Sequence, residues 1–118
     1  MPQPGLTPRE FPLDIGGYVD DTDPSSELVR VLTALADVNR YRIVELLATR
    51  AAELSCGAIG NELGLSPSLI SHHLAILEEA GIIDRRKCGP WTLNRLRHDE
   101  LSRRLSALEK LARPDGVA

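Results

Sequence analysis

The stretch LSPSLISHHLAILEEAGII, residues 65–83, decides the fold. Ser66 can cap a helix, and Pro67 suits the first helical turn, where no backbone donor is needed. One face repeats at the helical spacing i, i+3, i+4 and i+7, and its members are Ile70, His73, Leu74 and Leu77. Gly81 is a helix-ending residue. The stretch therefore predicts a helix with a packed inner face, on which His73 is a packing residue, and a polar outer face.

Three helices are predicted before this one. The nearest is short, opens near Ser55 and ends at Gly64, because glycine accepts the positive φ of a helix end. Helix, short turn with glycine and capped helix together form the helix-turn-helix pattern. Apolar spacing predicts two earlier helices, one beginning near residues 23–24 with Asp23 as its cap, and one over about residues 38–48.

The pattern changes after Gly81. Residues 82–88 (IIDRRKC) and 91–96 (WTLNRL) are typical of two strands that flank a turn, and such a hairpin after a helix-turn-helix is a wing. A last helix is predicted over about residues 99–112. The sequence thus predicts a mainly α chain with a small β-hairpin, a winged helix-turn-helix in the order α-α-α-α-β-β-α.

The length of 118 residues suits one domain. Residues 1–22 are rich in proline and glycine, and we interpret them as an acidic N-terminal arm; residues 23–113 form the domain and 114–118 a short tail. The net charge of -3 hides an asymmetry, because residues 1–27 hold six of the 17 acidic residues and one of the 14 basic ones. Within residues 85–97 lies a basic cluster: Arg85, Arg86, Lys87, Arg95 and Arg97.

This arrangement points to double-stranded DNA. A capped helix with a polar outer face fits the major groove, and the residues placed to contact bases or phosphates are Ser66, Ser68, Ser71 and His72. Basic residues on the hairpin can neutralise phosphates and release counterions, and we assign this role to Arg85, Arg86, Lys87 and Arg95.

Two segments resemble one known family. Residues 35–47 (LADVNRYRIVELL) and residues 65–83 are similar to the corresponding stretches of the ArsR/SmtB regulators, and the likeness extends over roughly residues 26–112. The resemblance implies a homodimeric winged-helix transcriptional regulator, usually a repressor, whose affinity for its operator falls when an inducer binds.

A leucine stripe on the last helix also favours a homodimer, because a lone end helix cannot bury such a stripe against itself. The predicted interface residues are Leu28, Val31, Leu101, Leu105 and Leu108. A twofold dimer would place its reading helices in successive major grooves of a palindromic operator. The alternative is that the stripe packs on its own subunit.

The resemblance also implies two places for a metal or arsenic sensor, and both are incomplete here. In the run ELSCG (residues 53–57), Ser55 and Gly57 stand where arsenic-sensing relatives have cysteine. On the last helix, the second ligand pair would fall near residues 111 and 114, a leucine and a proline that cannot ligate. No cofactor is required on this reading, and the weak candidate ligands for a nickel or zinc effector are Cys56, Cys88, His98 and Glu100. His72 and His73 could also join the two cysteines in an adventitious site.

Alternatives to direct metal sensing remain open. Cys56 and Cys88 could form a redox switch, since a thiol at a helix start can be acidified. Sensing could belong to a partner protein, with the acidic arm as its docking segment. The same fold could also serve as a protein–protein interaction module.

Other classes of protein are disfavoured. No phosphate-binding glycine loop, nucleophile elbow or convincing carboxylate pair points to an enzyme. No apolar run reaches the length of a membrane span, and the N-terminus lacks a secretory pattern. With two distant cysteines and no disulfide framework, the sequence predicts a cytoplasmic protein without a membrane partner.

Overall fold

The computed structural model describes residues 23–114. The predicted N-terminal arm and most of the predicted tail lie outside the described residues. Five helices and three strands follow one another in this order: α1 (Pro24–Leu35), α2 (Val38–Arg50), β1 (Leu54–Ser55), α3 (Cys56–Leu63), α4 (Pro67–Glu79), β2 (Ile83–Cys88), β3 (Trp91–Leu96) and α5 (His98–Leu111). The winged helix-turn-helix prediction is confirmed, with α3 and α4 as the helix-turn-helix and β2–β3 as the wing.

One strand was not predicted. The two residues of β1 pair antiparallel with β3, so that Leu54 lies opposite Asn94 in a sheet of order β1-β3-β2. A strand of two residues is too short to show an alternating pattern. Its presence fixes the wing to the segment that leads into α3.

Local chemistry sets most of the helix ends. The Ser55 hydroxyl accepts a hydrogen bond from the backbone N–H of Ala58 at 3.1 Å, and the turn between α3 and α4 opens at Gly64 with a φ of 70°. Ser66 accepts from the N–H of Leu69 at 3.3 Å, as predicted for the start of α4. At α1 the predicted cap position is confirmed, because Asp23 is the N-cap and the helix begins at Pro24, although the Asp23 side chain makes no capping hydrogen bond.

The core lies between the helices and the inner ends of the wing. It consists of Val31, Ala34, Ile43, Val44, Leu47, Ile59, Ile70, Leu74, Leu77, Ala80, Ile82, Ile83 and Leu96. The predicted inner face of α4 is confirmed, because His73 is also buried, with 5 % of its surface exposed. No helix in the described part of the chain is long and apolar enough to cross a bilayer.

Helix α5 lies against α1 of its own subunit, and this corrects part of the predicted dimer interface. Val31 is 0 % exposed, so it has no surface to offer a second copy. Leu101 and Leu105 pack, partly buried, on the core of their own subunit, as the alternative reading of the leucine stripe proposed. Leu108 remains 39 % exposed, while Leu28 is half-buried.

Candidate nucleic-acid interface

The outer face of α4 carries the predicted reading residues in exposed positions. Ser68, Ser71 and His72 are all exposed, and Ser66 is exposed at the helix start. The Ser66 and Ser68 hydroxyl oxygens lie 3.5 Å apart. Small hydroxyl side chains and an imidazole on one open face can approach base edges closely, so α4 is hereafter called the recognition helix.

An open hollow of about 380 Å³ joins the recognition helix to the wing. Its lining consists of Ser71, Arg85, Arg86, Lys87 and Thr92. The hollow brings one predicted residue of the helix together with three of the four predicted basic residues of the hairpin. Thr92 was missed, and it enters because β2–β3 pairing places it opposite Lys87.

Arg86 does not stand free on the wing. Its Nε donates to Glu53 Oε2 at 2.8 Å and its Nη2 donates to Glu53 Oε1 at 2.7 Å, so the two side chains form a bidentate ion pair. The hydrogen bond from Arg86 lowers the pKa of the Glu53 carboxyl, and the same contact raises the pKa of Arg86. Both groups therefore stay charged at neutral pH. A carboxylate already occupies the guanidinium edge that a DNA phosphate would contact.

Arg85 is turned toward the base of the wing. Its Nε donates to Asn94 Oδ1 at 3.0 Å, and its Nη2 lies 3.6 Å from Cys56 Sγ. Asn94 is fully buried, and its Nδ2 donates to the Leu54 carbonyl at 3.0 Å. The guanidinium that we predicted as a phosphate ligand thus also orients Asn94. Asn94 joins the wing to β1 and is a structural residue that the sequence did not reveal.

The last predicted phosphate ligand, Arg95, pairs with Asp84 at 2.7 Å across the hairpin. Asp84 also lies 3.7 Å from Arg97. Lys87, like Arg85, has no carboxylate partner within residues 23–114, whereas Arg86 and Arg95 each have one. Exposed pairs such as these contribute only about 0–1 kcal/mol, so phosphates can compete for the arginines.

The candidate metal ligands are spread over the domain. Cys56 lies half-buried beside Arg85, and Cys88 is exposed near the tip of the hairpin. His98 and Glu100 begin α5, where the hydrogen bond from Arg103 lowers the pKa of the Glu100 carboxyl. Over the described range, no three histidine, cysteine or acidic side chains form a metal-binding group.

The helix-turn-helix is also the part of the chain that is similar to known proteins. Residues 37–85 match the family described as "Bacterial regulatory protein, arsR family". The chain is 33 % identical over 104 residues to the biofilm growth-associated repressor of Agrobacterium fabrum, covering 86 % of this chain and 87 % of that protein. The chain belongs to the ArsR family. The family match begins at the cap of α2 and ends in the wing, so it contains the whole helix-turn-helix.

Two further relatives support the ArsR assignment. A Halobacterium salinarum protein, provisionally named an arsenical resistance operon repressor, is 44 % identical over 63 residues. That alignment covers 53 % of this chain and about half, 49 %, of the relative's length. The homodimeric winged helix-turn-helix DNA-binding domain Mb0332 of Mycobacterium bovis superposes with a TM-score of 0.63 at 26 % identity, over 81 % of this chain and 88 % of that one.

Proposed function

We propose that this chain binds palindromic double-stranded DNA as a homodimer and represses transcription from the bound site. The observation that carries the proposal is the hollow in which Ser71 of the recognition helix meets the basic face of the wing. A helix in the major groove and a basic hairpin on the neighbouring backbone need this juxtaposition. A protein with this function would act in the cytoplasm.

The recognition helix and the wing contribute to DNA binding in different ways. The recognition helix offers Ser68, Ser71 and His72 to base edges, and these contacts select the sequence. Lys87 and the partly neutralised arginines of the wing supply attraction that is independent of sequence. Since two carboxylates offset Arg86 and Arg95, the wing contributes a modest attraction and the base contacts weigh more in the choice of site.

The dimer is supported by the homodimeric relative from Mycobacterium bovis and by apolar surface on α1 and α5. Val29 is 58 %, Leu108 39 % and Leu111 79 % exposed on these helices. Covering such residues with a second copy removes apolar surface from water. Twofold symmetry would then set the recognition helices about 34 Å apart, one turn of DNA.

Selection of bound duplexes from a random-sequence library tests the proposal. We expect an enriched inverted repeat and an affinity that falls steeply between about 50 mM and about 200 mM salt. Repression is tested by placing the selected duplex before a reporter gene, with and without the protein. A folded protein that enriches no sequence and retains no duplex at the lower salt would contradict it.

Lys87→Ala should weaken binding to all duplexes alike, by about tenfold for the dimer, because one phosphate contact is lost in each subunit. The slope of log affinity against log salt should become shallower by about 2. Lys110→Ala, which removes a lysine from the far end of α5, is the matched control and should change neither value. An unchanged slope in Lys87→Ala would remove Lys87 from the interface.

Glu53→Gln should have the opposite effect and strengthen binding. Removing the carboxylate frees Arg86 for phosphate in both subunits, so we expect an increase in affinity of about two- to fivefold. Glu62→Gln is the control, because Glu62 also pairs with an arginine, Arg50, but lies outside the wing and the recognition helix. Titration of both variants with the selected duplex measures the effect; equal affinities would show that Glu53 does not compete with DNA.

A further inference from the structure

His73 on the recognition helix is buried, and the proposed function leaves it without a role. It faces the corner between α1 and α2, defined here as residues 34–40. Its Nδ1 lies 3.2 Å from Nη1 of Arg40, and its Nε2 has no hydrogen-bond partner among the described residues. A buried polar atom without a hydrogen-bond partner lowers the stability of the fold, so the presence of His73 at this position needs a physical explanation.

Arg40 ties three parts of the domain together. Its Nε donates to the carbonyl of Ala34 at the end of α1 at 2.6 Å, while its Nη1 faces His73. Its own backbone N–H is held by the carboxylate of Asp37, which caps α2 at 3.1 Å. One guanidinium therefore connects α1, α2 and the recognition helix.

This geometry fixes the protonation state of His73. A guanidinium can only donate hydrogen bonds, so Nδ1 must accept and the proton of the neutral ring lies on Nε2. A second proton on Nδ1 would place two donors, and two positive charges, face to face. The charged and titratable groups around the ring are Arg40 and Asp37 on the α2 side and His72 on α4, whose ring centre is 5.6 Å away.

We propose that Arg40 and His73 form a positioning pair that holds the recognition helix against the α1–α2 corner, and that proton uptake by His73 releases it. The effect on DNA rests on the proposed function above. Burial, aided by Arg40 and His72 and opposed by Asp37, lowers the pKa of His73, so the pair stays intact at neutral pH. DNA affinity and the free energy of unfolding should then both fall on acidification.

The direction of the pH effect on stability follows from the number of protons that the folded and unfolded chains bind. Because the pKa of His73 is lower in the folded chain than its ordinary value of 6.5, the unfolded chain binds more protons between those two values. The contribution of the pair to stability is complete above the ordinary pKa and decreases as the pH falls below it.

Three variants of the full chain test the pair. His73→Asn keeps an acceptor near the place of Nδ1 but cannot titrate, whereas His73→Leu removes the acceptor. His98→Gln is the control, because it removes an exposed histidine at the start of α5. Binding to the duplex selected by the wild-type protein is measured at about pH 7.5 and about pH 5.5, with nitrogen NMR of the histidine rings in the free protein.

For the wild type we expect a several-fold loss of affinity at the lower pH, because proton uptake by His73 releases the recognition helix. His98→Gln should keep this loss, and His73→Asn should abolish it while binding within about threefold of the wild type at the higher pH. His73→Leu should bind about tenfold more weakly at both values, because Arg40 loses its acceptor. NMR should place the proton of His73 on Nε2.

A proton on Nδ1, or a His73→Asn variant that keeps the pH-dependent loss, would overturn the proposal. The test separates this failure from failure of the proposed function. If the wild type binds no duplex at either pH, the proposed function is wrong. The NMR titration and the pH dependence of unfolding then still decide whether the pair exists.

Discussion

The double substitution Leu108→Glu with Leu111→Glu is expected to give a folded monomer that binds the selected inverted repeat at least about a hundredfold more weakly. A dimer engages its second half-site as an intramolecular event, which raises apparent affinity by about a hundredfold to ten-thousandfold. Both leucines project from α5 with substantial exposed surface. Two carboxylates in each copy would meet their symmetry mates at an apolar interface and repel them.

The variant separates association from folding, which a change at Leu105 would not. Leu105 packs on the core of its own subunit, so a charge there would unfold the monomer as well. Val38→Glu is the control, since Val38 is an apolar side chain that is 65 % exposed but lies on neither α1 nor α5. Sedimentation and circular dichroism measure mass and fold. A double variant that stays dimeric would place the interface elsewhere.

The parts of the fold that depend on neighbouring residues could be predicted from the sequence. Ser66 and Gly64 act through hydrogen bonds and backbone conformation within one turn, and the leucine and isoleucine spacing of the recognition helix acts within three turns. These signals predicted the helix-turn-helix. They also placed His73 on the inner face, where the structure buries it.

The parts that depend on distant residues could not be predicted. Glu53 and Arg86 lie 33 positions apart and meet because β1 joins the sheet. The same pairing buries Asn94, which in the sequence is one polar residue among several in a strand. Val31 was predicted to lie at the dimer interface, but its own subunit buries it. An apolar stripe shows that a helix face is buried, and it does not show whether the same subunit or a partner covers that face.

Replacing Asn94 by leucine should have the largest effect on stability, a loss of about 2–4 kcal/mol in the free energy of unfolding. The substitution leaves the Leu54 carbonyl without its side-chain donor and the Arg85 guanidinium without its acceptor. Leaving the partly buried carbonyl unsatisfied costs about 1–3 kcal/mol, and the half-exposed guanidinium, which water can still reach, costs less. Leucine has a similar size, so a cavity would not explain the loss. Urea unfolding gives the value.

The matched control is Asn61→Leu, an exposed position on α3, where we expect a change within about 0.5 kcal/mol. Asn94→Asp separates the two bonds, because a carboxylate can still accept from Arg85 but cannot donate to Leu54. If Asn94→Asp is as stable as the wild type, the bond to Leu54 carries none of the stability. If Asn94→Leu unfolds at the same urea concentration as the wild type, the buried amide does not hold the wing.

The wing carries Lys87 and Arg86. We therefore expect the folded fraction of Asn94→Leu to bind the selected duplex more weakly than the wild type does, which links the buried amide to recognition of the DNA backbone.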